Sequence, residues 1–257
     1  MSIRGLGLLL LVVVGIAMPA AAAKKPCSKP LSHCPLRGCA KENSPNAFAN
    51  IAKRNLKPSG DITRLSFDDF KDLQAAVEKR FDGQYSTLTK PDRARLRKFK
   101  LDGKTVGEGR LVEVVGFIAD GPGKPHANSS GESVNCRISG AANNDFHISV
   151  TPRSDGTEFK GIVVEMVPQS RDENWTEGRL KKLQAAKLQV RVRGQLFLDN
   201  HHKVNDDPSA NLTNQPKRMS LWEIHPVTEF DVCTKATCTE DGPGWKPFEK
   251  WQVGGEQ

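Results

Sequence analysis

Between residues 107 and 233 the chain carries short runs of period-two alternation broken by turn signals, and this pattern constrains its fold more than any other feature. Phe146, Ile148 and Val150 alternate with Asp145, His147 and Ser149, as in a half-buried strand. Residues 111–119 read as a strand with Gly116 as a bend or bulge. Residues 134–138 read as a short strand. Residues 161–167 are apolar on both faces except for Glu165. A helix should follow, capped by Asn174 with Glu177 three positions on, and with Leu180, Leu183 and Ala186 as its apolar stripe. Residues 188–198 form the next strand, with Val190, Val192, Leu196 and Leu198 on one side. Residues 219–227 form the last long strand, extended by Phe230 and Val232 to Cys233.

Short strands with one helix between the third and fourth predict a mainly β protein. The expected form is a five-stranded, OB-fold-like Greek-key barrel over 107–238, built from strands 111–119, 145–150, 161–167, 188–198 and 219–227. A β-sandwich decorated by helices is the alternative. Neither a collagen period nor a sustained heptad is present. A hydrophobic content of 37% argues against wholesale disorder.

The flanks differ in character. Arg4, the apolar run 6–17 and the small residues Pro19 to Ala23 read as a signal peptide over 1–23, cut after Ala22 or Ala23. The alternative is a short N-terminal anchor. No other stretch is apolar for 18 residues, so the mature chain is expected to be secreted or periplasmic with no transmembrane segment. Residues 24–60 form a Cys- and Pro-rich arm with a helical turn near 47–52. Residues 61–106 form a helical region. There Ser66 caps a helix over 66–81 that aligns Phe67, Phe70, Leu73, Val77 and Phe81, and Thr89 with Pro91 opens a second. Residues 239–257 are a C-terminal tail. Six cysteines allow 15 pairings. Export favours disulfides, with Cys233 and Cys238 closing a local loop, over a zinc site built from Cys27, Cys34, Cys39 and His33.

The net charge of +8 suits an anionic partner such as nucleic acid, a polysaccharide or a phospholipid surface, or serves solubility alone. Arg93, Arg95, Arg97 and Lys98, together with Arg191 and Arg193, are candidates for a polyanion-binding surface. The bland reading of the 90–100 run is a solvated helix face.

The histidines and acids are more specific. Asp145 and His147 share one face of a strand, as do Glu223 and His225, and Glu165 is the lone charge of its strand. Asp199 and His202 follow the fourth strand. OB-fold strands run in the order 1-2-3-5-4 around the barrel, so the strands carrying these residues are consecutive neighbours. One outward patch is expected. It offers His147, Glu165, His202, Glu223 and His225 as acid–base groups, and Asp145, His147, Asp199, His202 and His225 as ligands for a divalent metal such as zinc. The alternative is mutual pairing within a buried wall. P-loop, Rossmann, G-x-S-x-G and H-E-x-x-H spacings are all missing.

Several strings resemble a set of exported bacterial proteins of uncharacterised function that are regarded as OB-fold-like. They are Glu132-Ser-Val-Asn-Cys136, Asp145-Phe-His-Ile148, Val163-Val-Glu-Met166, Leu196-Phe-Leu-Asp-Asn-His-His-Lys203 and Leu221-Trp-Glu-Ile-His-Pro-Val-Thr228. The resemblance spans about 107–233 and implies an exported barrel without assigning an activity. Two functions are therefore expected to compete: an exported OB-fold-like binding protein for nucleic acid or another polyanion, and a metal-dependent hydrolase of phosphodiesterase type.

Overall fold

A computed structural model describes residues 25–121, 125–210, 212–213 and 215–252. The expected signal peptide over 1–23 lies outside the described residues. In chain order the elements are α1 (Pro45–Lys53), β1 (Ser59–Arg64), α2 (Phe67–Phe81), α3 (Lys90–Arg95), β2 (Phe99–Leu101), β3 (Lys104–Val106), β4 (Arg110–Ile118), β5 (His126–Ala127), β6 (Phe146–Thr151), β7 (Ile162–Met166), α4 (Glu177–Ala186), β8 (Gln189–Leu198), β9 (Trp222–Cys233) and β10 (Trp245–Pro247).

Five strands close on themselves in the order β4-β6-β7-β9-β8, and β8 returns to β4. The β7–β9 pair is parallel; the other four are antiparallel. With α4 between the third and fourth strands and helices ahead of β4, this is the expected OB-fold-like barrel. Closure needs a close approach at Gly116, where a Cβ would stand 2.5 Å from the Thr151 carbonyl oxygen. The predicted bend is therefore the barrel seam.

Alternation sorts the side chains. Val112, Val114, Ile148, Val150, Ile162, Val164, Val190, Val192, Leu196, Trp222 and Ile224 fill the interior. Helix α2 closes one end by inserting Phe70, Leu73 and Val77, and the Trp222 indole donates to the Leu73 carbonyl at 3.0 Å. Its cap is the Ser66–Asp69 box. Leu180 and Leu183 of α4 also join the core.

Some expectations are corrected. Residues 134–138 form turns rather than a short strand. Thr176, not Asn174, caps α4. The Asn174 N–H is bonded to the Asp172 carboxylate, which holds that residue in a turn two positions ahead of the cap. The C-terminal tail is an integral part of the fold, since β10 pairs with β9 and Phe248 and Trp251 are buried in the main core.

The six cysteines form three disulfides: Cys27–Cys39, Cys34–Cys136 and Cys233–Cys238. The cysteine zinc alternative is thereby set aside. Cys34–Cys136 fastens the arm to the loop before β6, and Cys27–Cys39 closes a loop within the arm itself. Gly38 (φ +56°) lets the arm touch that loop, where a Cβ would stand 2.0 Å from the Ser133 carbonyl oxygen.

Candidate metal centre

The residues expected to form an outward patch do converge, but in a buried wall rather than on an open surface. His147 of β6 pairs in register with Glu165 of β7, and Phe197 of β8 with Glu223 of β9. Their strand neighbours Ile148, Val164 and Ile224 face the core, so these polar side chains lie on the outer barrel wall.

That wall is roofed. Gln195 donates to the Ala52 carbonyl at 2.8 Å and to the His225 carbonyl at 2.7 Å, and it accepts from Asn55. The Lys53 ammonium lies 5.5 Å from the Phe197 ring centre, and that ring packs 5.5 Å from the His225 ring. The end of α1 thus covers the wall. His225 and Glu223 are fully buried, and Asp145, Glu165, Asp199 and Arg218 are each 1% exposed.

Beneath the roof the groups form one chain. His225 Nδ1 stands 3.0 Å from Glu165 Oε2 and 3.6 Å from Glu223 Oε2, while its Nε2 stands 3.6 Å from Asp145 Oδ2. Glu165 Oε1 lies 3.3 Å from His147 Nε2, and Glu132 Oε1 lies 3.4 Å from the same nitrogen. On the other side Arg218 bridges Glu223 at 2.5 Å and Asp199 at 3.2 Å, and Asp199 contacts His202 Nδ1. All seven of the acid–base and ligand candidates named from the sequence therefore meet in one network.

Its centre is ligand-like. One donor atom each from Asp145, Glu165 and His225 lies within 4.8 Å of the other two. Neighbouring ligands of a tetrahedral zinc ion are about 3.4 Å apart, so small side-chain movements would bring the three onto one ion. The hydrogen-bond pattern agrees. Asp145 Oδ1 is satisfied by Asn135 at 2.9 Å. Among the described residues, Asp145 Oδ2, Glu165 Oε2, Glu223 Oε2 and both His225 nitrogens have no aligned hydrogen-bond partner although all are buried. Glu165 Oε2 is close to Nδ1 but off the N–H axis. A purely structural network would be expected to satisfy these atoms.

Burial alone would lower the pKa of His225, but the Glu165 and Glu223 carboxylates push it up to about 10. Burial raises the Asp145 carboxyl well above the usual range, helped by Glu132 and Glu165. Burial opposes ionisation of Glu165 too, yet His147, His225 and Lys53 outweigh it and hold its pKa well below the usual range. The metal-free wall thus sets ionised Glu165 and Asp199 against Arg218, Lys53 and protonated His225.

Arg218, Lys53, Glu132 and Asn135 were missed in the sequence reading. Arg218 lies four residues before β9, and Glu132 and Asn135 lie within the Glu132–Cys136 string. The position of Lys53 in a Pro- and Lys-rich arm gave no signal.

The polyanion candidates separate. Arg93 is buried against Glu108, Asn200 and the Leu198 carbonyl. Arg191 pairs with Asp231 at 2.6 Å, and Arg193 with Glu113 and with Glu229. Arg93 is thus internal, and the half-buried Arg191 and Arg193 are engaged in ion pairs rather than offered as a free surface. Arg95 is exposed and stacks on Phe81 at 4.5 Å, and Arg97 and Lys98 are exposed.

Fold and site together define an OB-fold-like barrel whose outer wall holds a roofed histidine–carboxylate cluster. Set against family models, curated proteins and solved structures, the chain matches none.

Proposed function

We propose that this is an exported metal-binding protein in which Asp145, Glu165 and His225 hold a divalent ion of zinc type. The observation that carries the reading is the convergence of three buried donors whose lone pairs lack hydrogen-bond partners. Imidazole and carboxylate donors suit first-row divalent ions. Asn135 orients Asp145, and Arg218 neutralises Asp199 and Glu223, so the ion would meet a site already shaped by its surroundings. Full burial suits a retained ion better than a turnover site. The signal-like N-terminus and the resemblance to exported bacterial barrels support export. Among the described residues no helix is long and apolar enough to cross a membrane.

The test is elemental analysis of untagged protein. About one equivalent of a divalent ion should co-purify. It should be lost in His225→Ala and in Glu165→Gln with the fold intact by circular dichroism. Metal-free wild-type protein that takes up no zinc, cobalt or manganese on titration would end this reading.

Metal-assisted hydrolysis of phosphodiesters is a second reading, favoured by one observation. His147 and Glu132 lie at the rim with side chains 18% and 16% exposed, and both contact the network that contains Glu165. A solvent-facing imidazole beside a metal-bound carboxylate is placed for acid–base work. Hydrolysis of a chromogenic phosphodiester by the metal-loaded protein, lost in His147→Ala, would support it. No turnover with any of the three ions would remove it. The polyanion reading rests only on Arg95, Arg97, Lys98 and the overall charge; failure to bind single-stranded DNA at low salt would exclude the nucleic-acid form.

A further inference from the structure

Two disulfides of the arm lie close enough to exchange partners. Cys27 is bonded to Cys39 and Cys34 to Cys136. The sulfurs of Cys27, Cys39 and Cys136 nevertheless all lie within 4.8 Å of one another. Backbone bonds maintain this proximity: the Cys27 N–H donates to the Cys136 carbonyl at 3.2 Å and the Cys39 N–H to the Ser133 carbonyl at 2.9 Å.

Exposure is graded across the group. Cys27 is exposed and Cys39 half-buried, whereas Cys34 is 6% exposed and Cys136 fully buried. A thiol in solution can reach the outer disulfide and is shielded from the inner one. Exchange requires a thiolate to reach a disulfide sulfur. Once the outer bond opens, a thiolate at 27 or 39 already stands beside Cys136.

We propose that Cys27–Cys39 is a thiol–disulfide exchange site for an external dithiol, and that it relays reduction inward to Cys34–Cys136. The dithiol first reduces Cys27–Cys39 through a mixed disulfide and leaves as its own disulfide. The Cys39 thiolate then attacks Cys136 Sγ. A Cys39–Cys136 bond forms, the Cys34–Cys136 bond breaks, and Cys34 departs as a thiolate that takes up a proton. Cys27 next attacks Cys39, which restores Cys27–Cys39 and releases Cys136 as a thiol. The net change is one dithiol oxidised and one buried disulfide reduced, with two electrons and two protons moved inward.

The bond that opens is the tie between the roof and the 132–138 loop. Arg54 of the roof is bonded to the Cys34 and Pro35 carbonyls, and the loop supplies Glu132 and Asn135 to the wall. The relay therefore releases the covalent tie over the ion site, a consequence that rests on the metal reading; the exchange chemistry does not.

The first test traps the intermediate in full-length Cys27→Ser. At mildly alkaline pH its unpaired Cys39 should attack Cys136. Alkylation and peptide mapping should then find a substantial fraction of Cys39–Cys136 with Cys34 alkylated. Native Cys34–Cys136 alone, with only Cys39 alkylated, overturns the proposal. The second test needs no trapped species. Reduction of Cys34–Cys136 by dithiothreitol should be slowed about tenfold or more in Cys27→Ser/Cys39→Ser relative to wild type. Equal rates would overturn the relay. Both readouts are disulfide connectivity in metal-free protein, so failure of metal binding leaves them interpretable.

Discussion

Glu165 is the single charge on a strand that is otherwise apolar, and its two oxygens touch two different imidazoles. What opposes an ion there is a cation already present. Lys53 faces Glu165, Asp199, Glu223 and Glu132, which raise its pKa against the effect of burial. Removing that charge in Lys53→Met should tighten divalent-ion affinity by roughly three- to tenfold, because like charges repel strongly in a partly desolvated site. Isothermal titration with zinc checks this, and weakened binding would mean that Lys53 supports the ion. Asp199 gives the acid side of the same electrostatics. Burial pushes its pKa up, but Lys53, His202 and Arg218 hold it well below the usual carboxylate range. A group whose folded pKa is depressed stabilises the fold fully above its unfolded value, about 3.9. That contribution disappears as pH falls through the folded value. Asp199→Asn should therefore be less stable than wild type from pH 5 to 7, with the gap closing below about pH 4. Urea midpoints measured across that range report it.

At the scale of elements, strand periodicity was enough to place the site. The alternation of β6 put His147 opposite the core, and the two-residue step from Glu223 to His225 did the same on β9. Given the barrel order, their meeting followed. What escaped were features set by distant partners. Strand β1 is almost wholly exposed and lacks alternation, so only its parallel pairing with β4 defines it. Arg93 looked like one cation in an exposed run, and Glu108, fifteen residues on, draws it inside. The helical turn near 47–52 was legible, but its role as a roof was not, because α1 meets the wall through the Gln195 amide, a carbonyl and Lys53. The Gly116 bend was legible; its purpose as the seam was not. Gly116→Ala would press a methyl onto the Thr151 carbonyl and force β4 from β6. A loss of about 1–3 kcal/mol is expected, read by chemical denaturation, and a neutral result would show that the seam can widen without penalty.

Considered as a whole, the molecule is a barrel with its polar wall turned outward and an arm folded back to cover it. The three disulfides contribute unequally to that arrangement. Cys233–Cys238 spans five residues, whereas Cys34–Cys136 spans 102 and joins the arm to the loop beside the candidate metal ligands. Chain-entropy reasoning assigns about 2 kcal/mol to the short loop and about 4–5 kcal/mol to the long one, before any strain is counted. Cys34→Ser/Cys136→Ser should therefore lose more stability in urea than Cys233→Ser/Cys238→Ser. The two variants should also differ at the metal site. Only the first loosens the roof, so only it should release bound zinc to a chelator faster than wild type, while Cys233→Ser/Cys238→Ser keeps the wild-type rate. Stopped-flow chelation separates the two effects. If the variants release zinc at equal rates, the arm is an ornament on the barrel and its tie to Cys136 has no bearing on the ion.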